Sequence, residues 1–358
     1  MKILFFISGM SAGGAQRSLL TLCEGLQEHK EHTIYVATWI NKDDKYIIPK
    51  SINLIDLGTA NRRCSSRISY IRSIFDIRKT IKKVSPDIVV AVQCNMYPRV
   101  LLANCFCKSK LIVWEHTSMS RKMDFEASIS RKYLYRFSDG LFVLTNKDKL
   151  IAKNLASNIE VMPNPLPFPT FTELCTRINN VVAIGRLDVW HIKGFDTLID
   201  IWAKLRDYHK DWKLMVVGEG SVQNTQFLKN LIDKRGLSDS ILLTGYRNDV
   251  QDILKNSKIY VLPSRVEGFP MGLIEAMSQG CACVSFSIDN SVRDIISDKQ
   301  DGFIICDRNE EEFAQKLSLL MDNDSLLQDI SCNATKNINR FNKSIIANKW
   351  IETLNKIL

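Results

Sequence analysis

Glu267-Gly-Phe-Pro-Met-Gly-Leu-Ile-Glu275 follows the apolar run Ile259 to Leu262 and leads into Ala276-Met277-Ser278-Gln279-Gly280. The apolar run reads as a buried strand, and Gly268-Phe269-Pro270 as the turn that ends it and opens a helix. Both carboxylates, spaced E-x7-E, thereby come to the carboxyl end of a strand. In an open α/β sheet ligands bind at that edge, where the unpaired N–H groups of the following helix make an anion site. Acids beside an anion site suit a ligand that joins a diphosphate to sugar rings. Amides and nearby cations hold the phosphates, while the carboxylates accept hydrogen bonds from hydroxyls.

Outward from this stretch, strand-like runs alternate with helix-length amphipathic segments, the pattern of parallel sheets covered by helices. A chain of 358 residues, 45% hydrophobic and 24% charged, predicts two α/β domains rather than one. The first half gives strands at Ile3 to Ile7, Thr33 to Thr38, Ile88 to Val92, Leu111 to Trp114 and Gly140 to Leu144. Helices fall at Ala15 to Glu28, Ile68 to Val84 and Glu126 to Phe137. Met162-Pro-Asn-Pro-Leu-Pro-Phe-Pro169 forbids regular structure and marks a linker over 162–180, between a first domain at 1–161 and a second at 181–342. Strands resume at Val181 to Gly185, Lys213 to Val217, Ile241 to Thr244, Ile259 to Leu262 and Ala282 to Phe286, and residues 343–358 carry apolar positions at helical spacing.

Charge is unevenly spread. Residues 1–160 carry 25 Lys and Arg against 14 Asp and Glu, whereas residues 161–358 carry 23 against 25. A basic first half suggests an anionic partner, either an acidic membrane surface or a phosphate-bearing acceptor. No nucleic acid is expected, because no helix-turn-helix, RNP or finger signature accompanies the charge. Within Arg67 to Lys83, Ile68, Ile71, Ile74, Phe75 and Ile81 fall near one helical face among Arg72, Arg78, Lys79, Lys82 and Lys83. That helix can lie on anionic lipid, or pack its stripe on the sheet. Arg62, Arg63, Arg121, Lys122, Arg131, Lys132 and Arg136 add charge to the same domain.

The ten cysteines show no C-x-x-C pair and read as reduced thiols of a cytosolic protein. The apolar run after Lys2 is too short for a signal peptide, and no stretch is long enough to span a bilayer. Asp322-Asn-Asp324, the one D-x-D spacing, falls in a polar turn, so no metal is expected there.

Four further stretches sit at strand ends. Ser11-Ala-Gly13-Gly14-Ala-Gln-Arg17 follows the first strand, and its glycines let backbone approach a phosphate or serve only as a connector. Trp114-Glu115-His116-Thr117 puts His116 at a strand end, in a structural or a binding role. Gly185-Arg186 to Lys193-Gly194 supplies two cations able to reach one diphosphate, or to stay solvated on a loop. Gly218-Glu219-Gly220 and Gly245-Tyr246-Arg247 end the next two strands and serve equally as plain turns.

The E-x7-E segment, the G-R-L to K-G spacing and the Gly-x-Gly turn together resemble the retaining glycosyltransferases of family 4. These are enzymes of the GT-B fold, two Rossmann-like parallel-sheet domains facing an interdomain cleft. The resemblance covers nearly the whole chain and implies a nucleotide-sugar donor, expected as UDP-linked, with no cofactor and no metal. It makes Glu267 the acid beneath the donor sugar, His116 a sugar-positioning residue, and Arg186 and Lys193 the cations on the departing diphosphate. Glu275 becomes the ribose-binding acid. Gly13, Gly14, Gly218, Glu219, Gly245, Tyr246, Arg247, Gly268, Phe269, Pro270, Met271, Gly272 and Leu273 complete the donor-binding set, although Pro270 has no N–H to give. Asn164 resembles a linker position facing the cleft, and residues 343–358 the helix that crosses back to the first domain. Trp190 and His191 depart from the commonest pattern of the cation loop, a difference that bears on acceptor contacts and leaves the two cations in place. The implied product is a lipid-linked glycan, on a polyprenyl-diphosphate acceptor, for O-antigen or capsule, made at the cytoplasmic face of the inner membrane. A GT-B-like sugar-nucleotide epimerase and a noncatalytic scaffold share the layout and stand as alternatives.

Overall fold

Val, Ile and Ala fill the run Ile88–Val92, and every side chain in it is buried. Both faces of such a strand must be covered, which a parallel sheet between two helical layers achieves. The computed structural model describes residues 1–10, 13–40, 48–58, 67–171, 177–288 and 291–358. Among these, the chain divides into one unit of Met1–Pro167 with Phe341–Leu358 and a second of Phe168–Arg340. The first holds β1 (Lys2–Ile7), β2 (Thr33–Thr38), β3 (Asn53–Asp56), β4 (Ile88–Val92), β5 (Lys110–Trp114), β6 (Gly140–Val143) and β7 (Ile159–Val161). The second holds β8 (Ile178–Ile184), β9 (Lys213–Val217), β10 (Ile241–Leu243), β11 (Ser257–Leu262), β12 (Ala282–Phe286) and β13 (Phe303–Ile305).

All neighbouring strands run parallel, in the orders β3-β2-β1-β4-β5-β6-β7 and β10-β9-β8-β11-β12-β13. Each order reverses direction once, between β1 and β4 in the first sheet and between β8 and β11 in the second. At such a reversal successive helices depart to opposite faces, opening a crevice at the carboxyl ends of the two strands. The architecture is the expected α/β GT-B pattern of two Rossmann-like sheets.

The helix Lys343–Ile357 belongs to the first unit. Trp350, fully buried, sets its edge against Phe142 at 4.8 Å and Trp114 at 4.9 Å between ring centroids, with Phe5 at 6.0 Å. Gly25 permits close approach on its other side, since a Cβ there would stand 2.9 Å from the Lys343 carbonyl oxygen. The proline stretch meets the returning chain directly: the Leu166 N–H donates to the Phe341 carbonyl at 2.8 Å.

Several elements differ from expectation. The strands β3, β7 and β13, with three or four residues each, are too short for a periodic signal, and the helix Tyr97–Asn104 hides behind Pro98 at its start. The segment read as one helix over 126–137 changes pitch twice, from α (Phe125–Ile129) to a π turn (Ser130–Leu134) to a 3-10 turn (Tyr135–Phe137). The amphipathic helix Arg67–Val84 splits its apolar residues: Ile77, Ile81 and Val84 are buried, while Ile68, Ile71 and Phe75 are 67%, 53% and 66% exposed. Ser11, Ala12, Arg62, Arg63, Cys64 and Cys175 lie outside the described residues.

Candidate active site

The second unit brings two of the named residues into contact at its strand-order reversal. Lys193 ends the one-turn helix Trp190–Lys193 after β8 and Glu267 lies on the turn after β11, the two strands that flank the reversal. Lys193 Nζ donates to Glu267 Oε1 at 2.8 Å, with the side chains 24% and 12% exposed. The lysine stem reaches across Gly185, where a Cβ would stand 3.0 Å from Cγ and 3.2 Å from Cε. Any side chain at position 185 would push the ammonium off its course.

Glycines then let the strand-end turns close on one another. Gly194 has φ +69° and lies against Pro263, whose carbonyl oxygen would be 2.1 Å from an added Cβ. Gly218, at φ +156°, would put a Cβ 1.9 Å from the Gly185 carbonyl oxygen. Its N–H donates to the Gly245 carbonyl at 3.0 Å, and the Leu187 N–H donates to the Glu219 carbonyl at 2.8 Å. Gly185, Gly218, Glu219 and Gly245 are thus laced along one edge. Arg186 stands exposed at that edge. Tyr246 is 45% exposed, and Arg247 is engaged with its neighbour, Nε donating to Asp249 Oδ1 at 2.8 Å.

Pro270 caps the helix Met271–Ser278, where its missing N–H costs nothing because first-turn donors have no intrahelical partner. Phe269, Met271, Leu273 and Glu275 are buried, Glu275 to 1% exposure. Gly272 lies over Tyr260, whose hydroxyl would be 2.5 Å from an added Cβ. Burial pushes the Tyr260 phenol well above its ordinary range, and the charges of Glu267 and Glu275 push it further. Both acids of the E-x7-E segment therefore lie within electrostatic reach of one buried hydroxyl, which stays protonated.

In the first unit Gly13, in extended conformation, caps the helix Gly14–Gln27 after β1. Across the reversal, Gln93 follows β4 with φ +75°, a left-handed conformation uncommon for a residue with a side chain and concentrated at functional sites. His116 follows β5 and packs against Trp114, the rings tilted by 55° with 4.2 Å between centroids. Part of its edge reaches solvent, yet Nε2 is enclosed with no hydrogen-bond partner among the described residues. Burial accordingly pushes its pKa down to about 3, and the ring is neutral at physiological pH.

The loop carrying His116 is held from beneath. Glu115, 2% exposed, accepts from Arg131 Nε at 3.1 Å, from the Tyr135 hydroxyl at 2.7 Å and from the Thr117 N–H at 2.9 Å. Arg131 also donates to the carbonyls of Thr117 at 2.9 Å and Ser118 at 3.1 Å. Asp148 accepts from the Met119 N–H at 2.7 Å and the Thr145 hydroxyl at 2.8 Å. Burial raises the Asp148 carboxyl against these bonds.

Arg131, one of the cations that make the first half basic, is 8% exposed and spends its charge on Glu115. Asn164, in the proline stretch, is 2% exposed and accepts from the Ser18 hydroxyl at 2.8 Å. The acids of the D-x-D spacing turn to different partners, Asp322 to His209 at 3.7 Å and Asp324 to Lys258 at 3.3 Å. Among the described residues, no cluster of three or more His, Cys, Asp or Glu is placed to hold a metal ion. Tyr260, Gln93 and the Glu115–Arg131 pair were not singled out from the sequence. A tyrosine inside an apolar strand gives no sign of what lies above it, and a positive φ has no signature without glycine.

Comparison with known proteins converges on one family. Residues 2–154 match the profile of "Glycosyl transferase 4-like" and residues 176–337 that of "Glycosyl transferases group 1". An uncharacterized glycosyltransferase of Haemophilus influenzae is 29% identical over 92% of this chain and 93% of its own. A Campylobacter jejuni protein is 26% identical over 100% of this chain and 99% of its own; it is named GalNAc-alpha-(1->4)-GalNAc-alpha-(1->3)-diNAcBac-PP-undecaprenol alpha-1,4-N-acetyl-D-galactosaminyltransferase. Among solved structures, Anabaena HepE in complex with UDP-glucose superimposes with a TM-score of 0.83 at 18% identity, over 99% of this chain and 100% of that one.

Proposed function

The chain belongs to the group 1, 4-like glycosyltransferases, enzymes that use nucleotide sugars, and we propose that it moves a hexose or N-acetylhexosamine from a UDP-sugar to a lipid-linked glycan with retention. The observation that carries this reading is the Lys193–Glu267 contact of 2.8 Å at the strand-order reversal, where the cation and the acid expected on opposite ends of the donor stand side by side. Lys193 and Arg186 take the diphosphate, Glu267 the sugar hydroxyls and buried Glu275 the ribose. First-turn amides of the helix Met271–Ser278 add donors to the anion.

Such a site acts by placement and charge. The bond from the anomeric carbon to the diphosphate oxygen breaks, and a bond from that carbon to an acceptor hydroxyl forms on the same face. The leaving diphosphate accepts the acceptor's proton while the two cations stabilise its developing charge. His116, neutral because it is buried, contributes a hydrogen bond to the sugar rather than a proton transfer.

For the acceptor, the Campylobacter relative's name specifies an undecaprenol-diphosphate glycan, and this supports the same class here, in O-antigen or capsule assembly. No described helix is long and apolar enough to cross a membrane. Exposed Ile68, Ile71 and Phe75, with Arg72, Lys79, Lys82 and Lys83 on the same helix, support docking on the anionic cytoplasmic leaflet. The test is incubation with a panel of nucleotide sugars and bacterial membrane lipid extract, followed by assay of released nucleoside diphosphate and of the lipid product. No turnover with any donor would sink the reading.

A further inference from the structure

The turn bearing Glu267 and the short helix that ends at Lys193 are stitched together by one side chain that sequence motifs did not single out. Arg265, two residues before Glu267, donates its backbone N–H to the Ile192 carbonyl at 2.7 Å, immediately before Lys193. Its guanidinium forks onto Asp196, Nη1 to Oδ1 at 2.7 Å and Nη2 to Oδ2 at 2.8 Å. Nη2 also donates to the Thr197 hydroxyl at 3.0 Å, and Nη1 to the His191 carbonyl. The bonds thus fall on both sides of Lys193.

A second arginine fixes the other end of the turn. Arg308 donates to the carbonyls of Ser264 at 3.2 Å and Pro263 at 3.3 Å, its guanidinium 4.5 Å from the centroid of the Phe286 ring. Backbone 263–265 is therefore held against the sheet from one direction and against the cation loop from the other.

We propose that Arg265 is a positioning residue: through Asp196 and the His191 carbonyl it sets the spacing of the two strand-end segments that present Lys193 and Glu267. The proposal rests on the reading of that pair as part of the transfer site. Physically, Lys193 and Glu267 both end in flexible stems, and their own ion pair fixes only their tips. Transfer needs the two tips in fixed places when a donor lies between or beside them, and a misplacement of about 1 Å can cost on the order of a hundredfold in rate. A planar fork locked to a carboxylate holds the backbones in register independently of the tips. With Arg265 and Asp196 36% and 31% exposed, the ion pair itself adds little to global stability. Burial acts to raise the Asp196 carboxyl, but the bonds from Arg265 and the Thr197 N–H outweigh it and hold it below the usual range, so the fork persists through neutral and mildly acidic pH.

The experiment compares Arg265→Lys, Asp196→Asn, Lys193→Met and the double variant Arg265→Lys/Lys193→Met in the full-length protein. Turnover is measured with the nucleotide sugar found active in the panel, UDP binding by calorimetry, and thermal unfolding alongside. Arg265→Lys keeps the charge and loses the fork, so kcat should fall about tenfold or more with the donor KM and UDP affinity within about twofold. Asp196→Asn should move kcat in the same direction by less. Because Arg265 acts through the pair, the double variant should be no slower than Lys193→Met alone. Multiplying losses, or wild-type kcat in Arg265→Lys while Lys193→Met is impaired, overturn the positioning role alone. Wild-type turnover in Lys193→Met overturns the reading of the site and this role with it.

Discussion

Lys193 Nζ and Glu267 Oε1, 74 residues apart in sequence, stand 2.8 Å apart at the carboxyl edge of the second sheet. Neither is on the surface nor sealed in the core, so each charge is partly desolvated and its field is stronger than in water. Replacement of Glu267 by Gln or of Lys193 by Met should lower kcat by about a hundredfold to a thousandfold, the range for losing one charge-stabilising group. The circular dichroism spectrum should be unchanged, and stability should drop by roughly 2 kcal/mol, as for one charge-assisted hydrogen bond. Steady-state kinetics beside a urea titration checks both; a drop in stability large enough to explain lost activity would remove the catalytic interpretation.

Glycine positions in the same unit separate strain from contact. Gly218→Ala would force a Cβ to 1.9 Å from the Gly185 carbonyl oxygen, and backbone would have to move. Gly236 has φ +67° but nothing within 4 Å of an added Cβ. Gly236→Ala should therefore cost only the conformational penalty, about 1 kcal/mol, whereas Gly218→Ala should cost more than twice that and weaken UDP binding. Equal melting temperatures for the two variants would show that the turn after β9 is not tightly packed.

The buried pair beneath His116 predicts an asymmetric response. Arg131→Met leaves Glu115 charged, buried and unmatched, at a cost of about 3–5 kcal/mol. The double variant Glu115→Leu/Arg131→Met removes both charges and should recover part of that loss, though the Thr117 N–H and the Tyr135 hydroxyl then lose their acceptor. Chemical denaturation of the three proteins gives the comparison, and a double variant less stable than Arg131→Met contradicts it.

Aromatic packing on the returning helix gives a further stability test. Trp350 is fully buried against Phe5, Trp114 and Phe142, yet its Nε1 has no hydrogen-bond partner among the described residues. Trp350→Phe sacrifices volume but no polar bond and should cost less than about half of Trp350→Ala, itself about 3–5 kcal/mol. Unfolding followed by Trp fluorescence and by far-ultraviolet dichroism should rank them in that order.

Much of this architecture is visible in the chain because buried parallel strands are written as uninterrupted apolar runs: Ile88–Val92 and Ala282–Phe286 coincide with β4 and β12. Where the run shrinks to Phe303–Ile305, or mixes with charge as in Asn53–Asp56, pairing with a neighbour decides and local pattern does not. The same holds for the site. Lys193 and Glu267 were nameable because strand ends collect ligands, but their contact joins segments far apart in sequence. Arg131 looks like surface charge until the carboxylate of Glu115 is seen beneath it. Arg265 looks like one more loop cation until Asp196 supplies its other half. Charge is legible residue by residue, whereas pairing belongs to the fold.

His116 offers a pH experiment whose sign follows from its burial. The folded protein holds its pKa at about 3, whereas an unfolded chain would have it near 6.5. As pH falls through about 6.5 the unfolded state takes up a proton that the folded state refuses, so this residue makes stability fall as pH drops toward 3, and its slope fades out by about pH 8. Replacement by Gln should remove up to about 1.4 kcal/mol per pH unit of that acid-side slope. Denaturation midpoints of wild type and His116→Gln, subtracted at each pH from 4 to 8, isolate the contribution from that of other titrating groups. Kinetics should show the companion effect. Since the ring stays neutral across this range, His116→Gln should lower kcat without moving any inflection of the pH–rate profile. An inflection near 6.5 that vanished in the variant would instead assign His116 a titrating, proton-transferring role.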